Sequence, residues 1–405
     1  MDSIKIGQYL SELRKYYKIT QDDLANHLSV SRQAVSRWET GASIPAIEVL
    51  LKLSELYGIT INDILQADIS KIKYQKEIVF PGREGKTKKI FVIGCGRWGT
   101  FIAWYLDRIG HEVTLYGRES SANMKQLMEE RKNDYLTLSD TMKLTHNFEE
   151  AKEADIIVIS ISSQTLPQVA AQLAQLPVKD KVFVLCMKGI EIESGRRLTQ
   201  IMTDTIDHSN KVAVWLGPGH VQEFFRGVPN CMVIDSNDQL VKEELVRSFS
   251  SDLIRFYYGT DLIGNEIGGA AKNVIGIAAG VLDGLDMSSL KGALMARGTR
   301  EIGRLIAAMG GDESSAYGLC HLGDYEATLF SKHSQNRAFG ESLVLKNDYK
   351  KLAEGYYTVK ALRNLGKSYG VELPICEAVY AVLYEGADIK EAFGKLFQRS
   401  LKNEF

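Results

Sequence analysis

The sequence has few cysteines, no excess of charge of one sign and no long apolar run. Its five cysteines lack any CxxC or Cys/His spacing, which argues against a metal site, and their scatter is typical of a reducing compartment. The 49 basic and 51 acidic residues nearly cancel, so the total charge favours neither a polyanionic partner nor a membrane surface. The N-terminus is charged and amphipathic, and no stretch is long and apolar enough to span a bilayer. We therefore expect a cytoplasmic protein with no metal and no membrane partner.

The 405 residues, 45% of them hydrophobic, suffice for several domains. Residues 4–65 show only short helical patterns and predict a small all-helical domain. Residues 66–87 lack periodicity and, with the next two lysines, carry seven basic and three acidic groups, which indicates a linker. Over residues 88–260, apolar runs such as IFVIG, ADIIVISIS and KVAVWLGPG alternate with helical patterns, so we predict a doubly wound α/β domain with a parallel sheet. Strand-like runs stop after Asp261, and residues 261–405 predict an all-helical domain.

A glycine-rich turn opens the α/β domain. Lys88 to Ile93 is the predicted strand and Thr100 to Ile109 the predicted helix, and between them lie Gly94, Cys95, Gly96, Arg97, Trp98 and Gly99. In such a turn Gly94 permits the sharp bend, Gly96 lets the backbone approach a pyrophosphate, and Gly99 allows close helix packing. The phosphate charge would lie at the helix N-terminus. This context predicts a Rossmann-type dinucleotide site, with Arg97 and Trp98 beside the cofactor.

The end of the second predicted strand bears on the choice between NAD and NADP. An acidic residue there would bind the adenine ribose hydroxyls, but this strand ends Tyr116-Gly117-Arg118. Arg118 can accept a 2′-phosphate or stack on adenine, whereas Glu119 beside it opposes a phosphate, and a solvated surface arginine is the alternative. We predict NAD(P)H as cofactor, with a slight preference for NADP(H).

Several separated motifs, in order, resemble those of the NAD(P)-dependent glycerol-3-phosphate dehydrogenases. They are GCGRWGT, LCMKGIE, NEIGGAAKNVIGIAAGVLDGL, HLGDYEAT and SQNRAFG, and the resemblance covers residues 88 to about 400. It implies reduction of dihydroxyacetone phosphate to sn-glycerol 3-phosphate, with hydride from NAD(P)H. That reaction needs a proton donor where alkoxide charge develops.

The resemblance implies that Lys272 is the proton donor and that Lys188 is a second active-site lysine near substrate and cofactor. A lysine among small apolar residues is costly to bury unpaired and has a lowered pKa, and the alternative for Lys272 is a core ion pair. Asp324 would orient the lysine amine or a substrate hydroxyl, although an aspartate after glycine is often a turn former or helix cap. Glu354 would lie near the cofactor; by itself it is an ordinary surface acid. The remaining implied substrate contacts are Gly217, Asn273, Thr328, Ser334, Gln335 and Asn336.

Two of these segments depart from the family pattern. Gly219 and His220 stand where the family usually has the Ser-Phe of a GPSF turn, so a hydroxyl near the substrate is lost. Gln335 stands where the family pattern SRNR has its first arginine, which contacts the substrate phosphate. Losing that contact would remove about 1.5–3 kcal/mol of binding, unless Arg337 or His333 replaces it.

The segment TQDDLANHLSVSRQAVSRWE resembles the helix-turn-helix of Cro and phage repressors. The resemblance starts the first helix at Gln21, places the turn at residues 28–30 and starts the recognition helix after the cap Ser31. Gln33 can pair with adenine, Gln21, Arg32 and Arg37 suit phosphates, and Ser36 also faces outward. Seven basic and eight acidic groups in residues 1–65 are poor for DNA affinity, so a protein-interaction module is the alternative. We expect double-stranded DNA as a partner, bound by a homodimer that presents two half-sites.

Three functions remain open from the sequence. The first, which we favour, is a working glycerol-3-phosphate dehydrogenase with an appended DNA-binding domain. The second is a transcriptional regulator whose dehydrogenase-like part senses NAD(P)(H) or a metabolite, with weak or altered catalysis. The third is an oxidoreductase for a substrate that depends less on its phosphate.

Overall fold

A computed structural model describes residues 2–17, 19–57, 59–67, 86–331, 333–351 and 353–397. The chain divides into two compact units, Met1–Val79 and Phe80–Phe405, and each is described by itself. Most of the predicted linker, and residues 398–405 of the predicted C-terminal domain, lie outside the described residues.

The described residues of the N-terminal unit form helices joined by short turns, and side chains fix where several of these helices begin. Thr20 and Thr60 each form a capping box with an aspartate three residues later, and Ser31 accepts a hydrogen bond from the N–H of Ala34. Ser29, in the left-handed region at φ 59°, ends the second helix and turns the chain into the third. The helices are α1 (Ser3–Tyr16), α2 (Gln21–Leu28), α3 (Arg32–Glu39), α4 (Ile47–Tyr57) and α5 (Ile61–Gln66).

Apolar side chains from all five helices form one core in this unit. Ala25, Val35 and Trp38 of α2 and α3 are buried in it, as their spacing in the helix-turn-helix pattern predicts, and Val30 is partly buried. Arg14 connects α1 to the end of α3, because its guanidinium donates to both carboxylate oxygens of Glu39 at 2.6 and 2.9 Å. The face of α3 that carries Arg32, Gln33 and Arg37 is exposed to solvent.

An eight-stranded sheet lies at the centre of the second unit, in the order β3-β2-β1-β4-β5-β6-β7-β8. Strands β1 to β6 are parallel, but β7 pairs with β6 antiparallel and β8 continues parallel to β7. The predicted doubly wound domain with a parallel sheet is confirmed, with one antiparallel pair, β6 and β7. Apolar clusters cover both faces, as expected for a doubly wound domain. The strands are β1 (Lys89–Ile93), β2 (Glu112–Tyr116), β3 (Lys143–Thr145), β4 (Ile156–Ile159), β5 (Val182–Leu185), β6 (Lys211–Leu216), β7 (Asn230–Ser236) and β8 (Ile254–Tyr258).

Helices cover this sheet and extend beyond it. They are α6 (Arg97–Arg108), α7 (Ala122–Glu130), α8 (Leu166–Ala174), α9 (Leu198–Thr205), α10 (Val221–Phe225) and α11 (Gln239–Phe249). Helix α6 begins at Arg97, three residues before the predicted start, because Gly96 is its N-cap and the first turn already contains Trp98 and Gly99.

The C-terminal helices pack around one long buried helix, α12. Close approach of α12 and α14 requires glycine, since a Cβ on Gly280 would lie 1.9 Å from the carbonyl oxygen of Arg337. This contact sets α14 against the part of α12 that carries Lys272. The helices are α12 (Leu262–Gly284), α13 (Lys291–Ala308), α14 (Gln335–Leu345), α15 (Glu354–Tyr369), α16 (Pro374–Tyr384) and α17 (Ile389–Phe397). No helix in the described part of the chain is long and apolar enough to cross a membrane.

Candidate active site

The turn between β1 and α6 has the backbone geometry that a dinucleotide phosphate needs. Gly94 has φ 113°, and a Cβ there would lie 2.2 Å from the carbonyl oxygen of Ser160. A Cβ on Gly99 would lie 2.0 Å from the carbonyl oxygen of Gly94, whereas one on Gly96 would meet no atom within 4 Å. The helix start is thus close-packed on one side and open on the other, so these residues fit a bound pyrophosphate.

Arg118 and Glu119 follow β2 and are both exposed. The adjacent Gly117 is fixed by its neighbours, because its carbonyl oxygen lies 2.7 Å from Nδ1 of His146. Their exposure does not decide between a 2′-hydroxyl and a 2′-phosphate, so the preference for NADP(H) stays a prediction.

Three charged side chains meet near the carboxyl ends of the parallel strands. Asp324 is 1% exposed, and its Oδ2 lies 2.5 Å from Nζ of Lys188 and 3.0 Å from Nζ of Lys272. Lys188 follows β5 and also donates to the carbonyl oxygen of Gly217 at 2.6 Å. Lys272 comes from α12 and donates to Oγ1 of Thr328 at 2.8 Å. Lys272 is thus an ion-paired buried lysine, and its placement is compatible with both interpretations weighed from the sequence.

Two opposing effects set the acidity of Lys272. Burial lowers the pKa of Lys272, the Asp324 carboxylate raises it and the charge of Lys188 lowers it, and together they leave this pKa at about 8. The amine is therefore mostly protonated near neutral pH, and it loses its proton about one pH unit above neutrality. Thr328 accepts the hydrogen bond from Lys272, and its own hydroxyl donates to the carbonyl oxygen of Asp324 at 2.7 Å. The threonine thus links the lysine to the backbone of the aspartate. A short π-helix, Glu326–Phe330, carries Thr328, an irregularity frequent at functional sites.

A chain of amide hydrogen bonds connects α12, α14 and α15. The N–H of Gly355 donates to Oδ1 of Asn336 at 3.0 Å, Asn336 donates to Oδ1 of Asn273 at 3.0 Å, and Asn273 donates to the carbonyl oxygen of Lys188 at 3.2 Å. These bonds hold the backbone of Lys188. The two asparagines predicted to contact substrate are therefore also part of the framework.

Glu354 begins α15 and contacts the α/β part of the unit. Its Oε2 accepts a hydrogen bond of 2.7 Å from Oγ of Ser163, and its Oε1 accepts one from the N–H of the same residue. Ser163 was not singled out from the sequence, because a contact between residues 191 positions apart leaves no local signal. Through these two hydrogen bonds Glu354 holds the loop that follows β4 next to the nucleotide turn.

Gln335, which stands at the position of the family's arginine, has no positively charged side chain in its place. The side chain of Gln335 accepts a 2.8 Å hydrogen bond from the hydroxyl of Tyr349. Arg337, one of two candidates for replacing the arginine, donates to Asp283 at 2.8 Å and to Glu341 at 3.0 Å. Two carboxylates thus already hold the guanidinium of Arg337, and His333, the other candidate, lines the cleft. Ser334 caps α14 by accepting from the N–H of Arg337.

The turn after β6 places a histidine at the site. Gly219 has φ 146°, and a Cβ there would lie 2.2 Å from the ring of Phe224, so the serine of the family pattern would not fit without movement of that ring. His220 follows it, and its ring centroid lies 5.7 Å from that of His333. In the sequence His220 stands out only as a departure from the family pattern; its polarity beside a predicted substrate loop is the signal that could have identified it.

These groups line a single cleft of about 290 Å³. Of the predicted residues it brings together Arg97, Trp98, Lys188, Lys272, Asn273, Asp324, Thr328, Ser334, Gln335, Asn336 and Glu354, and it adds His220 and His333. Gly217 contributes through its bond to Lys188, while Gly94, Gly96 and Gly99 form the turn beside Arg97. Arg118 lies outside the cleft wall, at the end of β2.

The predicted DNA-contacting residues lie in the N-terminal unit. Arg32, Gln33 and Arg37 are exposed on α3, and Ser36 is half-buried. Arg32 lies 3.6 Å from Asp22 in an exposed ion pair. The amide of Gln21 donates to Oε2 of Glu39 at 2.9 Å, and its phosphate contact stays a prediction.

Family profiles match three segments of the chain. Those described as NAD-dependent glycerol-3-phosphate dehydrogenase N-terminus and C-terminus match residues 89–242 and 261–394, and one described as helix-turn-helix matches residues 10–64.

Curated relatives and a solved structure agree with these profiles. Glycerol-3-phosphate dehydrogenases [NAD(P)+] of Chlorobium limicola and Fusobacterium nucleatum are 34% and 36% identical over 330 residues, covering 78% of this chain and 99% and 98% of theirs. The crystal structure of glycerol-3-phosphate dehydrogenase from Coxiella burnetii is 28% identical with a TM-score of 0.73, covering 77% of this chain and 99% of that chain. The chain therefore belongs to the NAD(P)-dependent glycerol-3-phosphate dehydrogenase family of oxidoreductases, and it carries a helix-turn-helix domain before the family region.

Proposed function

We propose that the chain reduces dihydroxyacetone phosphate to sn-glycerol 3-phosphate with NAD(P)H, and that its N-terminal domain binds double-stranded DNA. The observation that carries the catalytic part is the cluster of Lys188, Lys272 and Asp324 in a cleft whose wall includes Arg97 and Trp98 of the nucleotide turn. A proton donor and a cofactor cradle then adjoin one cavity, which is what carbonyl reduction requires.

When bound, NAD(P)H supplies the hydride that adds to the carbonyl carbon. Lys272 holds the proton that the carbonyl oxygen receives as negative charge develops on it. Asp324 keeps that ammonium charged and oriented, because its Oδ2 lies 3.0 Å from Nζ. Lys188 adds a second positive charge at the cleft and, through its bond to Gly217, fixes the loop after β6.

The reduction is tested by mixing the purified full chain with dihydroxyacetone phosphate and either NADH or NADPH. We expect oxidation of the cofactor with at least one of the two, and one glycerol 3-phosphate formed per cofactor consumed. Absence of oxidation with both cofactors would reject the catalytic proposal.

The proposal of DNA binding is supported by the exposed face of α3. Arg32, Gln33 and Arg37 project from a capped helix that follows a tight turn, and such a helix can enter a major groove. A homodimer would present two such helices to two half-sites. Selection from random duplexes should yield one preferred sequence, and Gln33→Ala should relax its preference at one position by about 1–3 kcal/mol. Failure to enrich any sequence would reject this part.

The alternative function is a transcriptional regulator whose dehydrogenase-like part senses NAD(P)(H) or a metabolite, with weak or altered catalysis. Gln335 favours it, because this side chain has no charge for a substrate phosphate and is hydrogen-bonded to Tyr349. Under this alternative, adding NAD(P)(H) or glycerol 3-phosphate changes the affinity for the selected duplex, whereas turnover is absent or slow. Affinity for the duplex that is independent of all these ligands, together with rapid turnover, would reject it.

A further inference from the structure

His220 is a buried polar group that nothing in the mechanism above uses. The residue is 9% exposed, and its Nε2 is buried with no hydrogen-bond partner among the described residues. A buried nitrogen without a partner costs free energy comparable to a lost hydrogen bond. Because His220 lines the cleft, a ligand there toward which the ring turns would complete the bonding of Nε2.

The surroundings of His220 favour an anion as that ligand. Its ring contacts that of His333, and residues 333–336, which contain the cap and first turn of α14, line the same cleft. The first-turn N–H groups of an 11-residue helix such as α14 lack intrahelical acceptors and carry partial positive charge. Two imidazoles and the start of a helix thus line the same cleft, and Arg337 is bonded to Asp283 and Glu341 instead.

The charge state of His220 decides what it can offer. Burial, together with the charges of Lys272, His333 and Arg97, lowers the pKa of His220 to about 4, although Asp324 opposes this shift. The imidazole is therefore neutral at physiological pH and offers one N–H as a donor rather than a charge. A neutral donor suits a site that already contains two lysines, since it adds a bond without further repulsion.

We propose that Nε2–H of His220, with His333 beside it, donates to the phosphate ester of the substrate and takes the place of the arginine absent at Gln335. This inference rests on the proposed function, because the phosphate belongs to the proposed substrate. His220 is then a specificity-determining residue: it distinguishes a phosphorylated triose from its unphosphorylated counterpart, and it leaves proton donation to Lys272.

The binding test is calorimetric titration of inorganic phosphate, and of glycerol 3-phosphate, into the full chain. His220→Met removes the donor at similar volume and should weaken both ligands at least about tenfold, the loss expected for a hydrogen bond to a charged group. His220→Gln places an amide N–H near the position of Nε2 and should restore affinity to within about threefold of the parent. His208→Met, at an exposed histidine outside the cleft, is the matched control and should leave both affinities unchanged.

Kinetics give the second readout. In His220→Met we expect the KM for dihydroxyacetone phosphate to rise about tenfold with kcat within about threefold, while kcat/KM for dihydroxyacetone is unchanged, as for loss of a ground-state contact. Equal phosphate affinity of the parent and His220→Met, or no phosphate binding by the parent, would overturn the inference. If the parent turns over neither substrate, the proposed function fails, and the titrations still decide whether His220 binds phosphate.

Discussion

Replacing Asp324 by Asn should move the pH dependence of carbonyl reduction. The carboxylate lies 3.0 Å from the Lys272 ammonium and raises its pKa, which burial otherwise lowers. An opposite charge at this range shifts a pKa by about 1–3 units, so the pKa of Lys272 should fall from about 8 to between about 5 and 7 in the variant.

The sign follows from the role of Lys272 as proton donor. Reduction requires the protonated ammonium, so kcat/KM falls as the pH rises through the pKa of Lys272. At pH 7.5 a group with a pKa of 8 is about three-quarters protonated, and one with a pKa of 6 only about 3%. Asp324→Asn should therefore move the alkaline limb of kcat/KM for dihydroxyacetone phosphate to lower pH by at least about one unit.

A second carboxylate that pairs with two cations provides the control. Asp283 lies between Lys291 and Arg337 at 2.7 and 2.8 Å, outside the cleft. Breaking the buried cluster at Asp324 costs about 3–5 kcal/mol of stability. Asp283→Asn also removes the charge from an ion-paired cluster, so both variants should lower Tm. Only Asp324→Asn should move the alkaline limb of the kcat/KM profile. An unmoved limb in that variant, or an equal shift in Asp283→Asn, would refute the claim that Asp324 raises the pKa of Lys272.

Three further substitutions have defined outcomes. Gly99→Ala places a Cβ 2.0 Å from the carbonyl oxygen of Gly94, so cofactor affinity measured by titration should fall more than about tenfold; near-parental affinity would contradict the close packing. Arg118→Gln should raise the KM for NADPH about tenfold or more and leave that for NADH unchanged, whereas equal effects would argue against a 2′-phosphate contact. Gln335→Arg should change the KM for dihydroxyacetone phosphate less than about threefold in the parent but lower it about tenfold in His220→Met; additive effects would mean that the two positions do not share a ligand.

The sequence predicted those parts of the fold in which one local pattern suffices. Glycine spacing after an apolar run located the nucleotide turn, and Ser31 located the start of α3. The start of α6 was misplaced because Gly96 caps the helix, so Arg97 and Trp98 already belong to its first turn. The direction of β7 was not predictable from its apolar pattern, since strand direction depends on how the connecting segment crosses the sheet.

The candidate site divides in the same way. Lys188, Lys272 and Asp324 were identified by motifs, and the structure brings them within hydrogen-bond distance, although their catalytic roles stay predictions. The partners of other residues depend on tertiary contacts that leave no mark on a short segment. Arg337 is an example, because its partner Asp283 lies 54 residues away along the chain.

The central claim is that Lys272 donates the proton, and a comparison of two buried lysines tests it most directly. Lys242, also buried, donates to the carbonyl oxygen of Gly259 at 2.6 Å and lies outside the cleft. Lys272→Met should lower kcat for dihydroxyacetone phosphate by about 10²–10⁴-fold while cofactor affinity is unchanged. Lys242→Met should leave kcat within about threefold of the parent. A Lys272→Met variant that retains kcat within about tenfold of the parent would contradict the account.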